Sequence, residues 1–111
     1  MKIQNLFETE LVFLNPELKI IYVSERIGIS TSQISLSIKQ AHGQSFPEFV
    51  NSCRLTYLKD ELKHNPIWKK YTIEALAFEA GFKNRQTFHF ACKSLYGLSA
   101  AEFLSKSKKQ H

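Results

Sequence analysis

The chain has 111 residues, 43% of them hydrophobic, with nine Phe, three Pro and four Gly. That is enough apolar material for one ordinary core, too few turn formers for a disordered segment, and no apolar run near the length that crosses a bilayer. The formal charge of +5 is uneven, with −1 over residues 1–22, +1 over 23–65 and +5 over 66–111, so a polyanionic partner would meet the second half.

The opening MKIQNLFETELVFL has acidic residues inside its apolar stretch and no cleavage-site pattern, which excludes a signal peptide and points to a cytoplasmic protein. Asn5 followed by Glu8 has the spacing of a helix cap, with Phe7, Leu11 and Leu14 as the apolar face and Asn15-Pro16 as the stop. A second helix is expected from about Leu18, with Ile20, Val23 and Ile27 inward and Gly28 at its end. Ser30 and Gln33 open a third, whose inward positions are Ile34, Ile38 and Ala41 and whose terminator is Gly43.

Ser45 and Glu48 form another capping pair, with Pro47 tolerated in the first turn. The longest helix follows, its period carried by Phe46, Phe49, Val50, Cys53, Tyr57, Leu58 and Leu62 until His64-Asn65-Pro66. Arg54 is expected to lie along it beside an acidic neighbour. Trp68 to Tyr71 reads as a linker or an extra turn. Ile73, Leu76, Ala77 and Ala80 then give a short helix one apolar stripe, and Gly81-Phe82 makes a tight turn. Phe88, Ala91, Cys92 and Leu95 repeat the spacing on the next helix, a pattern that suggests a helix-turn-helix. Ser99 and Glu102 cap a short last helix bearing Phe103 and Leu104, and Lys106, Lys108 and Lys109 read equally well as a solvated tail. No strand alternation is evident, so the fold class is all-α, with about seven helices.

The two halves repeat. Ile20, Val23, Ser24, Ile27 and Gly28 correspond to Ile73, Leu76, Ala77, Ala80 and Gly81. With one extra residue in the turn, Ile34, Ile38, Ala41, Gly43, Ser45, Glu48 and Phe49 correspond to Phe88, Cys92, Leu95, Gly97, Ser99, Glu102 and Phe103. Apolar meets apolar, Gly meets Gly, and cap meets cap, which points to two helix-turn-helix units, residues 16–45 and 72–103, joined by a linking helix at 46–65 within one DNA-binding domain.

Opposite the core, the third helix presents Ser32, Ser35, Leu36 and Lys39. Its counterpart presents Gln86, His89, Phe90 and Lys93, with Arg85 at its start. Gln suits adenine, Arg suits guanine, and apolar groups suit the thymine methyl. Base contacts are therefore expected from Arg85, Gln86, His89 and Phe90, and weaker ones from Ser32, Ser35 and Leu36. Lys39 and Lys93 suit phosphates, and Asn84 is expected to cap its helix and aim the first amides at a phosphate.

Cys53 and Cys92 lie on apolar helix faces and are expected as buried thiols, since there is no second pair for a metal site and a reducing compartment disfavours a disulfide. His42, His64, His89 and His111 have no ligand spacing. No metal, cofactor or small-molecule site is evident. Neither a nucleophile–base set nor a phosphate-cradling Gly loop appears, so an enzyme is not expected.

The texts VSERIGIS and IKQAHGQSFPEFVNSCRL in the first unit, and IEALAFEAGFKNRQTFHFACKSLYGLSAAEF in the second, resemble the DNA-binding domain of AraC/XylS transcription regulators, over about Pro16 to Phe103. The resemblance implies seven helices, with two helix-turn-helix units bridged by one long helix. It also implies recognition helices in successive major-groove segments roughly 34 Å apart, an asymmetric site and some DNA bending. Its implied partners are double-stranded DNA and RNA polymerase or a sensor domain. Leu36 and Phe90 stand where the family commonly has Arg, Ala100 where Pro is usual, and Cys92 where Phe is usual. Those two exposed apolar residues also support a different class of function: a helical protein-interaction module with only weak, non-specific DNA binding.

Overall fold

The structure is a computed structural model, and it describes residues 2–109; His111 lies outside that range. Seven α-helices and two 3-10 turns are formed among the described residues, and no strand. The helices are α1 (Lys2–Glu10), α2 (Ile20–Ile27), α3 (Thr31–His42), α4 (Phe46–His64), α5 (Ile73–Glu79), α6 (Arg85–Tyr96) and α7 (Ala100–Lys109). The 3-10 turns are Val12–Leu14, after α1, and Pro66–Lys70, after α4.

The internal repeat is visible in the boundaries. Ile20 and Ile73 open α2 and α5, Thr31 and Arg85 open α3 and α6, and His42 and Tyr96 close them. Phe46 and Ala100 open α4 and α7, each behind a serine, Ser45 or Ser99, whose hydroxyl accepts an N–H three residues on. The same apolar spacing gives α3 and α6 the same length, 12 residues each, and the same caps open α4 and α7.

Two apolar cores result. The first gathers Ile3, Leu6 and Phe7 of α1, Phe13, Val23, Ile34 and Ile38 around Phe46, Phe49 and Val50 of α4. The second gathers Trp68, Leu76, Ala77, Phe82, Phe88, Ala91, Cys92, Phe103 and Leu104 around Leu55, Leu58 and Leu62 of the same helix. Tyr57 packs against both. With 19 residues, α4 is roughly 28 Å long, enough to give one end to each core.

Several expectations need correction at the N-terminus. Asn5 is not a cap: α1 already runs from Lys2, because Ile3, Leu6 and Phe7 pack into the first core and hold the earlier turn. Leu11 and Leu14 are not on its apolar face. The helix stops at Glu10, and Leu11 adopts a left-handed φ of 50° before the Val12–Leu14 turn. The next helix opens at Ile20 rather than near Leu18, since Lys19 is extended, and of its apolar residues only Val23 is fully buried.

Further along, Ala41 is exposed rather than inward, as the last turn of α3 projects past the core. In α4, Cys53 and Tyr57 are only half-buried, whereas Leu55 is fully buried. Lys106, Lys108 and Lys109 belong to α7, which extends through them. Ser107 is buried there and donates its hydroxyl to Phe103 O at 2.7 Å.

Arg54 has no acidic partner. It is buried, with Nε donating to Phe13 O at 2.7 Å and a terminal nitrogen donating to Asn15 O at 2.9 Å. The other terminal nitrogen reaches Asn51 Oδ1, and the guanidinium lies 5.5 Å from the centre of the Phe82 ring. Burial pushes its pKa down from the usual arginine value. The Val12–Leu14 turn is thereby clamped to α4. Gly81 also packs against that turn, and a Cβ there would lie 2.6 Å from Phe13 O and 2.7 Å from Leu14 Cα. Only glycine fits, both for this approach and for its φ of +93°.

Candidate nucleic-acid interface

The second unit positions α6 by its cap. Asn84 Oδ1 accepts the Thr87 N–H at 2.9 Å, and Thr87 Oγ1 accepts the Asn84 N–H in return. Two N-terminal donors are thus satisfied within the turn. On the inner side Phe88, Ala91 and Cys92 are fully buried. The register therefore turns Arg85, Gln86, His89, Phe90 and Lys93 outward, and all five are exposed.

These side chains differ in how far they are already engaged. Arg85 donates to Glu74 Oε1 at 3.0 Å, joining the two helices of the unit across its outer edge. The Glu74 carboxyl is held below its usual range, first by its own backbone N–H and then by Arg85. His89 Nδ1 accepts the Ala100 N–H at 3.2 Å, so the ring caps the start of α7 and keeps Nε2 for a further partner. Gln86, Lys93 and Phe90 have no side-chain hydrogen bond or ion pair among those formed by the described residues. Phe90 is 66% exposed.

The first unit presents α3 in the same register. Ser30 Oγ accepts the Gln33 N–H, Ile34 and Ile38 are fully buried, and Ser32, Ser35, Leu36 and Lys39 are exposed. Leu36 is 56% exposed. The face is hydroxyl-rich, with one apolar group and one cation.

The outer faces of α3 and α6 open onto one continuous surface. Ser35, Leu36 and Lys39 border a shallow depression with Leu18, Phe46 and Pro47. Those last three also border a second depression, with Pro16, Asn51 and Arg54. Pro16, Asn51 and Arg54 in turn border a third, with Asn84, Gln86 and Phe90. Ser32, Arg85, His89 and Lys93 stand on the same helices but do not line these depressions. Pro16, Lys19, Asn51 and Lys83 share the surface, and no motif or cap spacing in the sequence marks them for it. Only folding brings them there, and none is a counterpart of a neighbouring site residue in the repeat. Lys83 lies 3.8 Å from Glu17, linking the second turn to the α1–α2 connection.

Both thiols are kept in the protonated form by their surroundings. Burial pushes Cys53 up to about 11 and Cys92 up to about 12. No group of three or more His, Cys, Asp or Glu suited to a metal ion occurs among the described residues, and no helix there is long and apolar enough to cross a membrane.

Two units of this geometry on one spanning helix define a double helix-turn-helix protein. A family model described as a helix-turn-helix domain matches residues 23–106. The chain belongs to that family, the AraC-type helix-turn-helix domains, a class of DNA-binding transcription regulators. Solved structures share the fold. The C-terminal domain of AraT, a response regulator from Geobacillus stearothermophilus, matches with a TM-score of 0.71 and 22% identity, over 95% of this chain and 81% of that one. A protein of unknown function from Listeria innocua matches with a TM-score of 0.70 and 18% identity, over 94% and 95% of the two chains. The C-terminal domain of the two-component response regulator yesN from Fusobacterium nucleatum matches with a TM-score of 0.71 and 20% identity, over 92% and 93%. Among curated proteins, no match to the sequence is found.

Proposed function

We propose that this chain binds a particular double-stranded DNA sequence through both units at once, with α6 as the stronger reader and α3 as the orienting element. The observation that carries this is the shared surface. The outer residues of α3 and α6 border depressions that run into one another along α4. In this reading Arg85, Gln86, His89 and Phe90 meet base edges in one major-groove segment. Ser32, Ser35 and Leu36 meet the neighbouring segment, and Lys39, Lys93 and the capped start of α6 at Asn84 meet phosphates. The N-terminal half-charge of α6 reinforces that last contact.

Exposed Leu36 and Phe90 support a second reading, in which the same surface grips a protein through apolar anchors and touches DNA only weakly. Salt separates the two. Phosphate contacts release counterions, so DNA affinity falls steeply as salt rises, whereas an apolar protein contact changes little. The direct test is selection of bound duplexes from a random pool. Enrichment of one asymmetric site with two conserved segments about one helical turn apart is expected. Recovery of unenriched sequence would favour the second reading.

A further inference from the structure

On the first unit, an open recess of about 410 Å³ lies between α1 and α4 and shares only Gln44 with the surface described above. Its size falls within the range that holds small organic molecules. Phe7, Phe13, Phe49 and Tyr57 wall it. The Phe7 and Phe49 rings are 5.2 Å apart, and Tyr57 stands edge-on to Phe13 at 5.8 Å. Phe7, Phe13 and Phe49 are nearly buried and give the recess an apolar floor, while half-buried Tyr57 is the ring whose face can meet a cation.

The carboxylates Glu8 and Asp60 border the recess, and no Lys or Arg does, in a chain whose formal charge is +5. Gln44, Ser52 and Thr56 add neutral polar groups, and the His42 ring lies 4.9 Å from that of Phe49 on the same rim. An anionic ligand would find two carboxylates and no Lys or Arg, while an ammonium group would find both carboxylates and the Tyr57 ring. The rim also contains Leu11, the one non-glycine residue with positive φ among the described residues. Backbone held in that region concentrates where ligands are gripped.

We propose that this recess binds a small organic cation, with its apolar body on the aromatic floor beside Tyr57 and its ammonium group facing Glu8 and Asp60. The site does not depend on the DNA reading, and it stands against the expectation that this chain has no small-molecule site.

The test uses the whole chain and three probes of similar size: benzyltrimethylammonium, benzyl alcohol and phenylacetate. Amide chemical shifts and calorimetric titration are read together. Benzyltrimethylammonium should bind saturably and shift amides from Phe7 to Leu11 and from Ser52 to Tyr57, with phenylacetate inert and benzyl alcohol weaker. Because Glu8 and Asp60 are exposed, E8Q/D60N should keep the wild-type melting curve, yet weaken the cation by about tenfold, as loss of a favourable charge contact implies. Equal binding of benzyl alcohol and the cation, unchanged affinity in the double variant, or shifts scattered over the surface would each overturn the proposal.

Discussion

Arg85 and Gln86 are neighbours in sequence but start from different conditions. On the proposed DNA reading, Arg85 must loosen its bond to Glu74 before its fork can meet guanine, whereas Gln86 has no such partner to leave. Arg85→Ala and Gln86→Ala should each reduce discrimination between a selected site and scrambled DNA, by roughly 1–3 kcal/mol where the contact is bidentate. Lys93→Ala should weaken both duplexes alike and flatten the salt dependence. Fluorescence anisotropy on both DNAs measures the difference; equal losses on the two for Arg85→Ala would contradict base reading. Glycine gives a second contrast at this scale. Gly28 and Gly81 both have positive φ, but a Cβ on Gly28 would meet nothing within 4 Å, while one on Gly81 would meet the Phe13 carbonyl. Gly28→Ala should cost about 1–2 kcal/mol, from backbone strain alone. Gly81→Ala should cost clearly more, above about 3 kcal/mol, because strain and collision add. Urea unfolding of the two variants tests this, and equal losses would mean that the approach to Phe13 is slack.

At the scale of the element, the helix starts are set by reciprocal bonds that also couple stability to pH. The Ser45 N–H donates to Glu48 Oε1 at 2.8 Å, and the Ser99 N–H donates to Glu102 Oε1 at 2.9 Å. In each case the serine N–H, first among the causes, holds the carboxyl below its ordinary value of 4.5. A depressed carboxyl stabilises the fold fully above its unfolded pKa, and that contribution is lost as pH falls through the folded value. Melting temperature should therefore drop on acidification below about 4.5, and the E48Q/E102Q variant should show a smaller drop over the same range. An identical acid profile for the variant would rule the caps out as the cause. These starts were readable from residue type, since Ser and Glu three apart need no distant partner. Ala41 was not, because helical period continues past the point where a neighbouring element ends. Leu11 was not either. Its left-handed backbone breaks α1 where the apolar spacing runs on, and nothing in residue type marks a leucine for that conformation.

For the whole molecule, the repeat made the two units legible, because a second copy of the same glycines and caps checks the first. The outward positions on α3 and α6 followed from the register of the buried residues. What joins the units was not legible. Arg54 looked like a surface cation seeking an acid, yet its bonds go to carbonyls 41 and 39 residues earlier in the chain. Period and composition carry no sign of such contacts. The helical period picked out Leu58 and Leu62 but not Leu55, and it did not show that all three turn to a second core.

That clamp has a mechanical consequence. With the Val12–Leu14 turn held by the Arg54 fork and packed against the bare backbone of Gly81, the two units lack a free swivel, and the angle between them is a property of the protein rather than of its target. On the proposed DNA reading, the helical phase of the duplex must then match the protein. One base pair inserted between the two segments would rotate the second by roughly 34° about the axis, given about 10.5 base pairs per turn. Affinity for such an operator should fall nearly to that for one unit alone, and five inserted pairs should be no better. Should the single insertion bind as well as the parent site, the clamp would be a hinge instead.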